Sequence, residues 1–507
     1  MAGRGAFAGD INFPHQLHMR IVRSAHAHGR IAAIDTAAAR ALPGVYAVWT
    51  AADIADVPPI DFREGSIPAL DPYRQPVLAT DRVRYVGDPI AAVFAADPYI
   101  AEDAADLVTA EIEELPPLLD AQAPPAEFSP GHSSEAAIIR QGYGDVDAVF
   151  RDAPHVVEVE LAVGRHSGVP LETRGAIGRY DASRGILELH GAAKVPHRIQ
   201  ELLSRMLGLP PSGIHVHESH VGGGFGVRGD FFPEDYLVPF AAHQVGRPVK
   251  WVESRRENLL ASSHAREADA EIEIACGTDG TVLALAGRIR VDMGCYIRNA
   301  AEVPPRNAAL FITGPYRIPN SRFEAAMVLT NKAPVGTYRA PGRFEADFFR
   351  ERMFDMAARD LGIDPVEFRR RTLVTAAEMP YAIASITPSY GESQVEFDGG
   401  SYTIALDRCL DEIGWKEKSA SRGKLIGDRY HGLGVGCFIE AGGAGPREHA
   451  RIALETDGTV SVFVGSSNIG QGLETVCTQI AGDALNCSMD AIKVFHGSTT
   501  YLKDGVG

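Results

Sequence analysis

The chain has 507 residues, of which 45% are apolar and 23% charged, a balance typical of a folded globular protein rather than a disordered chain or a fibre. At about 150 residues per domain, this length predicts about three domains. The 49 basic and 66 acidic residues leave a formal net charge of −17, which argues against nucleic acid or an anionic membrane surface as the main partner.

The spacing of the cysteines and the lack of long apolar runs are typical of a cytoplasmic protein. None of the six cysteines forms a Cys-x-x-Cys pair, so we expect neither a disulfide framework nor an iron–sulfur cluster of familiar spacing in this chain. No stretch reaches about 18 uncharged apolar residues, so no membrane span is expected. The first residues lack the apolar segment of a secretory signal, and these features together predict a cytoplasmic protein.

Residues 1–122 are predicted to form a first unit that mixes strands and helices. The alternation over 17–36 predicts one strand, and the helix that follows it ends at Pro43. A run rich in proline and acidic residues, 116–135, is typical of a linker. The other elements predicted here, in chain order, are buried strands over 44–50 and 88–98, a helix over 101–109 and a strand over 110–116.

Residues 136–376 are predicted to form a second unit with longer elements. Gly208 and Gly246 each follow a helical pattern and indicate where a helix ends, whereas Asp364 before Pro365 is typical of a helix start. The predicted strands are 156–163, 185–193, 213–221, 267–275 and 281–297, and the predicted helices are 197–207, 233–244, 344–361 and the segment after Asp364.

Residues 395–507 are predicted to form a third unit. Helices are expected over 403–415 and 475–486, and strands over 432–440, 450–456, 459–465 and 491–497. Long alternating strands mixed with helices favour an α+β fold over a doubly wound parallel sheet for the chain as a whole.

A glycine-rich loop is the strongest local feature. Gly222, Gly223, Gly224 and Gly226 let backbone N–H groups approach a ligand without interference from Cβ atoms, and the loop lies between a strand and a helix, where anions bind. Gly224, Gly226 and Gly229 also match the G-x-G-x-x-G pattern of dinucleotide-binding proteins, with Glu253 at the spacing of the ribose-binding carboxylate. An NAD-binding dehydrogenase is therefore an alternative. In that pattern the helix begins within the glycine motif, whereas the helix predicted here begins only near Pro233, which argues against the alternative.

Two further loops carry polar groups suited to an anionic ligand. Arg339 and Arg343 lie in a loop that glycine and proline restrict, and such arginines bind phosphate or carboxylate unless they pair with Glu345 or Asp347. Gly470, Gln471 and Gly472 precede a predicted helix and present an amide and backbone N–H groups at its start.

Other polar residues give weaker signals. Glu172 and Glu440 are candidate general bases, but single carboxylates are usually solvated or paired. His215, His217 and His220 lack a matching set of carboxylates, so we expect ordinary histidines rather than metal ligands. No nucleophile elbow and no phosphate-binding P-loop is visible.

The ordered motifs resemble the large, molybdopterin-binding subunit of the xanthine dehydrogenase/aldehyde oxidase/carbon monoxide dehydrogenase family over nearly the whole chain. GRGAFAGDINFPHQ and VRYVGDPIAAVFAADP resemble its α/β hammerhead domain. PLETRGAIGRYD, VGGGFGVRGDFF, GTYRAPGRFEADFF and GSSNIGQGLETVCTQ resemble its two molybdenum-cofactor domains. The resemblance implies a hammerhead domain followed by two such α+β domains, the second incomplete.

The resemblance also implies an activity and residue roles. The activity is oxidative hydroxylation of an aldehyde or a nitrogen heterocycle with oxygen from water, and electrons pass to 2Fe-2S centres and FAD on a small and a medium partner subunit. Phe225, with Gly223, Gly224 and Gly226, would lie beside the molybdenum ligands, and Arg339 would lie near them. Gly470, Gln471 and Gly472 would bind the dinucleotide end of molybdopterin, in its cytosine form. No side chain would ligate the molybdenum directly.

Four positions depart from relatives in this family. Lys194 stands where many members have a glutamine beside an oxo ligand, and lysine can only donate hydrogen bonds. Ala340 stands where copper-containing carbon monoxide dehydrogenases have cysteine, which argues against that reaction. In the substrate pocket, Gly229 replaces the glutamate of xanthine enzymes and Pro341 replaces an aromatic residue, so purine specificity is not supported.

The family's general-base glutamate is expected beyond Gly507, so we expect this chain to be inactive alone. Either it is a fragment, or another chain completes the second cofactor domain. A non-catalytic relic of the family is a further alternative.

Overall fold

A computed structural model describes residues 5–61, 67–191, 193–386, 395–440 and 448–505. Residues 1 and 507, where predicted units begin and end, lie outside the described residues, as does Ala192, two residues before Lys194. Sheets of mixed direction alternate with helices along the chain, which confirms the predicted α+β class. In the described part of the chain, no helix has both the length and the apolar character needed to cross a membrane.

A seven-stranded mixed sheet joins the first predicted unit to the second. Parallel pairing of Leu17–Arg23 with Val249–Val252 connects strands of the N-terminal region to strands of the following region. The strand Ile214–Glu218 lies at one edge of the sheet and leads to the glycine-rich loop. In spatial order the strands are Ile214–Glu218, Ile186–Gly191, Gly175–Asp181, Val249–Val252, Leu17–Arg23, Pro89–Ala95 and Val45–Thr50.

Buried side chains of this sheet and of two helices hold the glycine-rich loop in place. Pro89–Ala95 is buried along its whole length and pairs with a strand on each side. The helix Pro233–Val245 lies against the sheet and buries Tyr236, Leu237 and Val238. The helix Pro196–Leu207 ends at Gly208, as predicted, and buries an amphipathic face against the edge strand. The glycine-rich loop is thus held between rigid elements.

A five-stranded sheet forms the second large core. Its strands, in spatial order, are His155–Val163, Ala268–Cys276, Val282–Gly294, Ser321–Leu329 and Glu135–Tyr143. The long helix Arg343–Asp360 crosses this sheet and buries Phe349, Met353 and Phe354 against it. Because that helix begins directly after the arginine loop, the second core fixes the position of the loop.

The C-terminal region has a smaller sheet and one long helix. Strands Ala450–Leu454, Val460–Val464 and Ile492–Phe495 form the sheet, and the helix Leu473–Leu485 packs on one face of it. The remaining α-helices are Ala37–Ala41, Pro98–Asp106, Val146–Asp152, Arg255–Ala261, Val303–Leu310, Pro365–Thr372, Tyr402–Ile413 and Trp415–Ser419. Shorter sheets contain Gly29–Asp35, Arg82–Val83, Thr109–Glu114 and several two- or three-residue strands.

Two predicted strands are wrong. The segment 17–36 forms two strands, Leu17–Arg23 and Gly29–Asp35, because residues after Ser24 turn: the Ser24 Oγ accepts a hydrogen bond from the His26 N–H at 3.0 Å. The segment 432–440 has no regular structure. Side chains bond its backbone instead, since the Cys437 N–H donates to Glu351 and the Cys437 carbonyl accepts from Arg350.

Candidate cofactor-binding site

The glycine-rich loop places one aromatic residue in an unusual conformation. Phe225 has φ of 51° and Gly226 has φ of 103°, and a non-glycine residue at positive φ costs about 1–3 kcal/mol, a strain that clusters at functional sites. Phe225 is 46% exposed. Within the described residues, no protein group accepts a hydrogen bond from the Phe225 N–H. The loop therefore presents a backbone donor to whatever binds there.

Glu172 holds the start of this loop. Its Oε2 accepts a hydrogen bond from the Gly222 N–H at 2.8 Å, and its own N–H donates to the Gly222 carbonyl at 3.0 Å. The buried Arg228 guanidinium donates to the carbonyls of Glu172 at 2.7 Å and Thr173 at 2.9 Å. These contacts give Glu172, a candidate base from the sequence, a structural role.

The arginine loop contacts the glycine-rich loop directly. The Arg339 N–H donates to the Phe225 carbonyl at 2.7 Å, and the Thr337 hydroxyl donates to the Gly226 carbonyl at 3.0 Å. A Cβ atom at Gly226 would lie 2.9 Å from the Thr337 carbonyl oxygen, so only glycine allows this approach. The two loops form one backbone unit.

The Arg339 side chain is exposed, and in the described part of the chain no carboxylate pairs with it. The two acids considered as its partners are engaged elsewhere: Glu345 pairs with Arg266 at 3.2 Å and Asp347 pairs with Arg350. Arg339 is thus a cation available to an anionic ligand.

Two other loop contacts were not predicted. Arg343 forms an ion pair with Glu440, the second candidate base from the sequence. Arg266 donates hydrogen bonds to the carbonyls of Arg339 and Ala340 and stacks on Tyr338 at 4.8 Å. No local sequence signal indicated that Arg266 supports the loop, because the contact spans 73 residues.

The third loop lies against the first. A Cβ atom at Gly224 would lie 3.1 Å from the Ile469 side chain. The Gln471 side chain turns back on its own loop: its Oε1 accepts from the Ile469 N–H, and its Nε2 donates to the Ser467 carbonyl, both at 2.7 Å. The helix that starts at Leu473 has only Gly472 as its cap, so its first N–H groups have no side-chain acceptor there.

The remaining predicted residues border these loops. Ala193, next to the half-buried Lys194, accepts a hydrogen bond from the Ser467 hydroxyl at 3.1 Å. The Gly229 N–H donates to the Gly226 carbonyl at 2.8 Å, and the Pro341 carbonyl accepts from Asn307 at 2.9 Å. The structure brings the predicted cofactor and pocket residues to one region where three loops meet.

A buried ion-pair network lies at the base of the glycine-rich loop. The Arg174 guanidinium donates to Glu253 and, at 3.0 Å, to Glu234, which also binds Arg23 at 2.6 Å. Asn258 donates to the second oxygen of Glu253 at 2.8 Å. Glu253 is therefore engaged and buried, which removes the ribose-binding carboxylate that an NAD site would need.

The candidate histidines have different surroundings. The His217 ring stacks on His190 at 4.8 Å, and burial lowers the pKa of His217 to about 4, so the ring is neutral at pH 7. The His220 Nδ1 accepts a hydrogen bond from the Ala6 N–H at 3.0 Å. In the part of the chain that the structure describes, no group of three or more His, Cys, Asp or Glu side chains is arranged to hold a metal ion.

Comparisons with known proteins identify the family of this chain. Residues 2–116 match the aldehyde oxidase and xanthine dehydrogenase α/β hammerhead domain, and residues 129–373 and 408–507 each match a molybdopterin cofactor-binding domain. The large molybdopterin subunit of nicotinate dehydrogenase from Eubacterium barkeri is 31% identical over 375 residues, which cover 72% of this chain and 84% of that subunit. The chain belongs to the molybdopterin-binding large subunits of the molybdenum hydroxylases.

Two further relatives match the whole of this chain. Subunit gamma of the 6-hydroxypseudooxynicotine dehydrogenase complex of Paenarthrobacter nicotinovorans is 38% identical over all of this chain and 64% of its own length. Quinoline 2-oxidoreductase from Pseudomonas putida 86 superposes with a TM-score of 0.87 at 31% identity, over 100% of this chain and 65% of that one. The chain thus spans just under two thirds of the length of these two relatives.

The donors at the loop junction fit such a cofactor. Molybdopterin carries phosphate, and the junction offers the Phe225 N–H, the Arg339 guanidinium and the N-terminus of the helix Leu473–Leu485. Backbone N–H groups, arginine and helix N-termini are the donors that anions prefer in proteins. The residues present are therefore compatible with the cofactor that the family binds.

Proposed function

We propose that this chain binds molybdopterin in an enzyme that oxidatively hydroxylates a nitrogen heterocycle or an aldehyde, with water as the source of oxygen. The observation that carries the proposal is the backbone bond between Phe225 and Arg339, which joins two loops. Each loop carries a donor, the Phe225 N–H or the Arg339 guanidinium, that pairs with no protein group among the described residues. When bound, the molybdenum cofactor supplies the two-electron oxidation of the substrate carbon.

Each loop has its own task in this proposal. The Phe225 N–H and the Arg339 guanidinium bind and orient the polar ligands at the metal end of the cofactor. The N–H groups around Gly470, Gln471 and Gly472, together with the helix that follows, bind the dinucleotide end, for which we propose the cytosine form. Lys194 borders the same loops and can only donate, so it would stabilise negative charge on the cofactor.

Nitrogen heterocycles are the favoured substrates. A Cβ atom at Gly223 would lie 2.9 Å from the Phe225 ring and 3.3 Å from Pro170, so the ring and this proline both border Gly223. The next residue, Leu171, is 94% exposed. Aromatic and aliphatic side chains suit a flat ring. The names of the similar proteins, which mention nicotinate and quinoline, describe such rings. Ala340 offers no thiol, so copper-dependent oxidation of carbon monoxide is not proposed.

The electrons require partners. We propose that a small 2Fe-2S subunit and a medium FAD subunit accept them, since the names of two similar proteins describe them as subunits of larger assemblies.

Elemental and nucleotide analysis tests the proposal. The protein is purified natively from its source, and molybdenum, iron, flavin and the nucleotide released on denaturation are measured together. Molybdenum with iron and a cytosine nucleotide is the expected result, and co-purifying chains identify the partners. Absence of both metals would favour the non-catalytic relic, and NAD released instead would favour the dehydrogenase alternative. The units 1–122, 136–376 and 395–507 and the cytoplasmic location stay predictions.

A further inference from the structure

A short segment after the last strand attaches the C-terminal region to the seven-stranded sheet. The Glu218 N–H donates to the Gly497 carbonyl at 2.7 Å, and the Thr499 N–H donates to the Val216 carbonyl at 3.1 Å. The Ser498 hydroxyl lies 3.1 Å from His217 Nδ1. These bonds extend the edge strand Ile214–Glu218 with residues from the far end of the chain.

His496 lies at one end of this attachment, between two carboxylates. Its Nε2 is 2.9 Å from Glu474 Oε1, and its Nδ1 is 3.7 Å from Glu218 Oε2. The Glu218 side chain is only 1% exposed, whereas that of Glu474 is 58% exposed. One imidazole thus connects a buried acid on the edge strand to an acid in the first turn of the C-terminal helix.

The charges around His496 favour its protonated form. Glu218 and then Glu474 raise the pKa of His496 above its ordinary value, against the effect of burial. Burial raises the pKa of Glu218, and the bond to His496 lowers the pKa of Glu474. Among the neighbouring groups, the His220 side chain lies near Glu474 and contributes to the lowered pKa of that carboxyl, whereas Ser467 and Asn468 face Glu218 as neutral groups.

The two acids are placed beside two of the proposed cofactor loops. Glu218 ends the strand that leads to Gly222, and Glu474 follows Gly472 by two residues. Any change in the distance between these acids therefore changes the spacing between the glycine-rich loop and the loop 467–472. Arg339 and its loop are not part of this connection.

We propose that His496 is a positioning residue whose positive charge holds the loop 467–472 and the helix Leu473–Leu485 against the edge strand Ile214–Glu218. The cofactor role of these loops rests on the proposed function, but the attachment itself does not. A raised histidine pKa means that the stabilisation is complete at low pH and is lost as pH rises through the pKa of the folded protein. The attachment should therefore loosen in alkaline solution.

Hydrogen exchange of the full 507-residue chain without cofactor measures this attachment. Protection of the amides in 467–485, corrected for the intrinsic increase of exchange with pH, is followed from pH 5.5 to 9. We expect wild type to lose about tenfold in protection across that range, an effect between those of exposed and buried ion pairs. His496→Gln should show, at every pH, the low protection that wild type reaches at pH 9.

Two more variants separate charge from packing. Glu218→Gln keeps the shape of the side chain but removes its charge, so the pH midpoint of the loss should move down. Glu474→Gln changes an exposed side chain, should fold, and should also lower the midpoint. His26→Gln is the matched control, because His26 pairs with Glu114 at 3.0 Å far from these loops and its loss should leave 467–485 unchanged.

Unchanged protection of 467–485 in His496→Gln at pH 5.5, or midpoints that do not move in either glutamine variant, would overturn the proposal. Molybdenum content is measured separately and tests the proposed function. The exchange experiment can therefore contradict the role of His496 without contradicting the proposed function, and the reverse also holds.

Discussion

The backbone N–H of Arg339 donates a hydrogen bond of 2.7 Å to the backbone carbonyl of Phe225. The two residues are 114 positions apart in the sequence, and each is next to or in a strained conformation, since Phe225 has φ of 51° and Ala340 has φ of 54°. Strain at both sides of one hydrogen bond persists only where the surroundings enforce it. Under the proposed function, this arrangement would hold the glycine-rich loop and the arginine loop together before the cofactor binds.

Replacing Gly226 by alanine should separate these two loops. The residue has φ of 103°, and the added Cβ would lie 2.9 Å from the Thr337 carbonyl oxygen. We expect Gly226→Ala to destabilise the folded chain by about 3 kcal/mol, and to reduce molybdenum content. Urea unfolding and metal analysis measure the two effects.

Gly208→Ala is the control for the Gly226 variant. Gly208 also has positive φ, 65°, but its added Cβ would meet no atom within 4 Å. Gly208→Ala should lower the free energy of unfolding by only about 1–2 kcal/mol and leave the metal content unchanged. Equal losses in the two variants would contradict the role of the Thr337 contact.

Arg339→Ala should lower molybdenum occupancy or turnover in the assembled enzyme without affecting folding. The guanidinium is exposed and has no carboxylate partner among the described residues, so its removal breaks no ion pair. Surface substitutions of this kind change stability by about 0.5 kcal/mol or less. The measurements are metal content, turnover and thermal unfolding, with Arg429→Ala, an exposed arginine of the C-terminal region, as control. Unchanged occupancy and rate would refute the role of Arg339.

Local sequence patterns predicted the elements but not their long-range supports. Glycine, proline and alternation identified the helix ends at Gly208 and Gly246 because those signals act within a few residues. The three loops were identified from the residue types that anions need. Arg266 and Glu172 were not assigned their supporting roles, because each acts on backbone groups that are distant in sequence. The segment 432–440 was misassigned because its backbone partners are side chains of a helix.

Arg174→Met should destabilise the folded chain at the base of the glycine-rich loop. Arg174 is buried and binds both Glu234 and Glu253, so its removal leaves two buried carboxylates without their main cation. Breaking a buried ion pair on one side costs about 3–5 kcal/mol. Urea unfolding at pH 7 measures the loss, and Arg179→Met, which breaks a partly exposed pair with Glu188, should cost far less.

The same network predicts an acid transition. Burial alone would raise the pKa of Glu234, but Arg174 and Arg23 hold it at about 2. A depressed pKa contributes stability above the pKa of the unfolded state, near 4.5, that is lost as pH falls towards 2. Wild type should therefore lose stability in this window, and the Glu234→Gln variant, weaker at pH 7, should show a smaller decline. Parallel curves for the two proteins would contradict this assignment.

Asp88 should give wild type a pH dependence opposite to that of Glu234. Asp88 is buried, and its Oδ2 accepts hydrogen bonds from the Arg84 N–H at 2.9 Å and the Tyr296 hydroxyl at 3.1 Å. Burial raises the pKa of Asp88 to about 7. The folded state therefore binds a proton that the unfolded state releases above about pH 4, so stability declines as pH rises from 4 to 7.

Asparagine keeps the accepting oxygen but never ionises. We expect Asp88→Asn to match wild type near pH 4 and to exceed it at pH 8 by at least about 1 kcal/mol, since one unit of pKa shift is worth about 1.4 kcal/mol. Thermal unfolding from pH 4 to 8 measures the difference, and Asp56→Asn, at an exposed carboxylate, controls for loss of surface charge. A difference that is the same at pH 4 and pH 8 would mean that packing, not ionisation, sets the cost of Asp88.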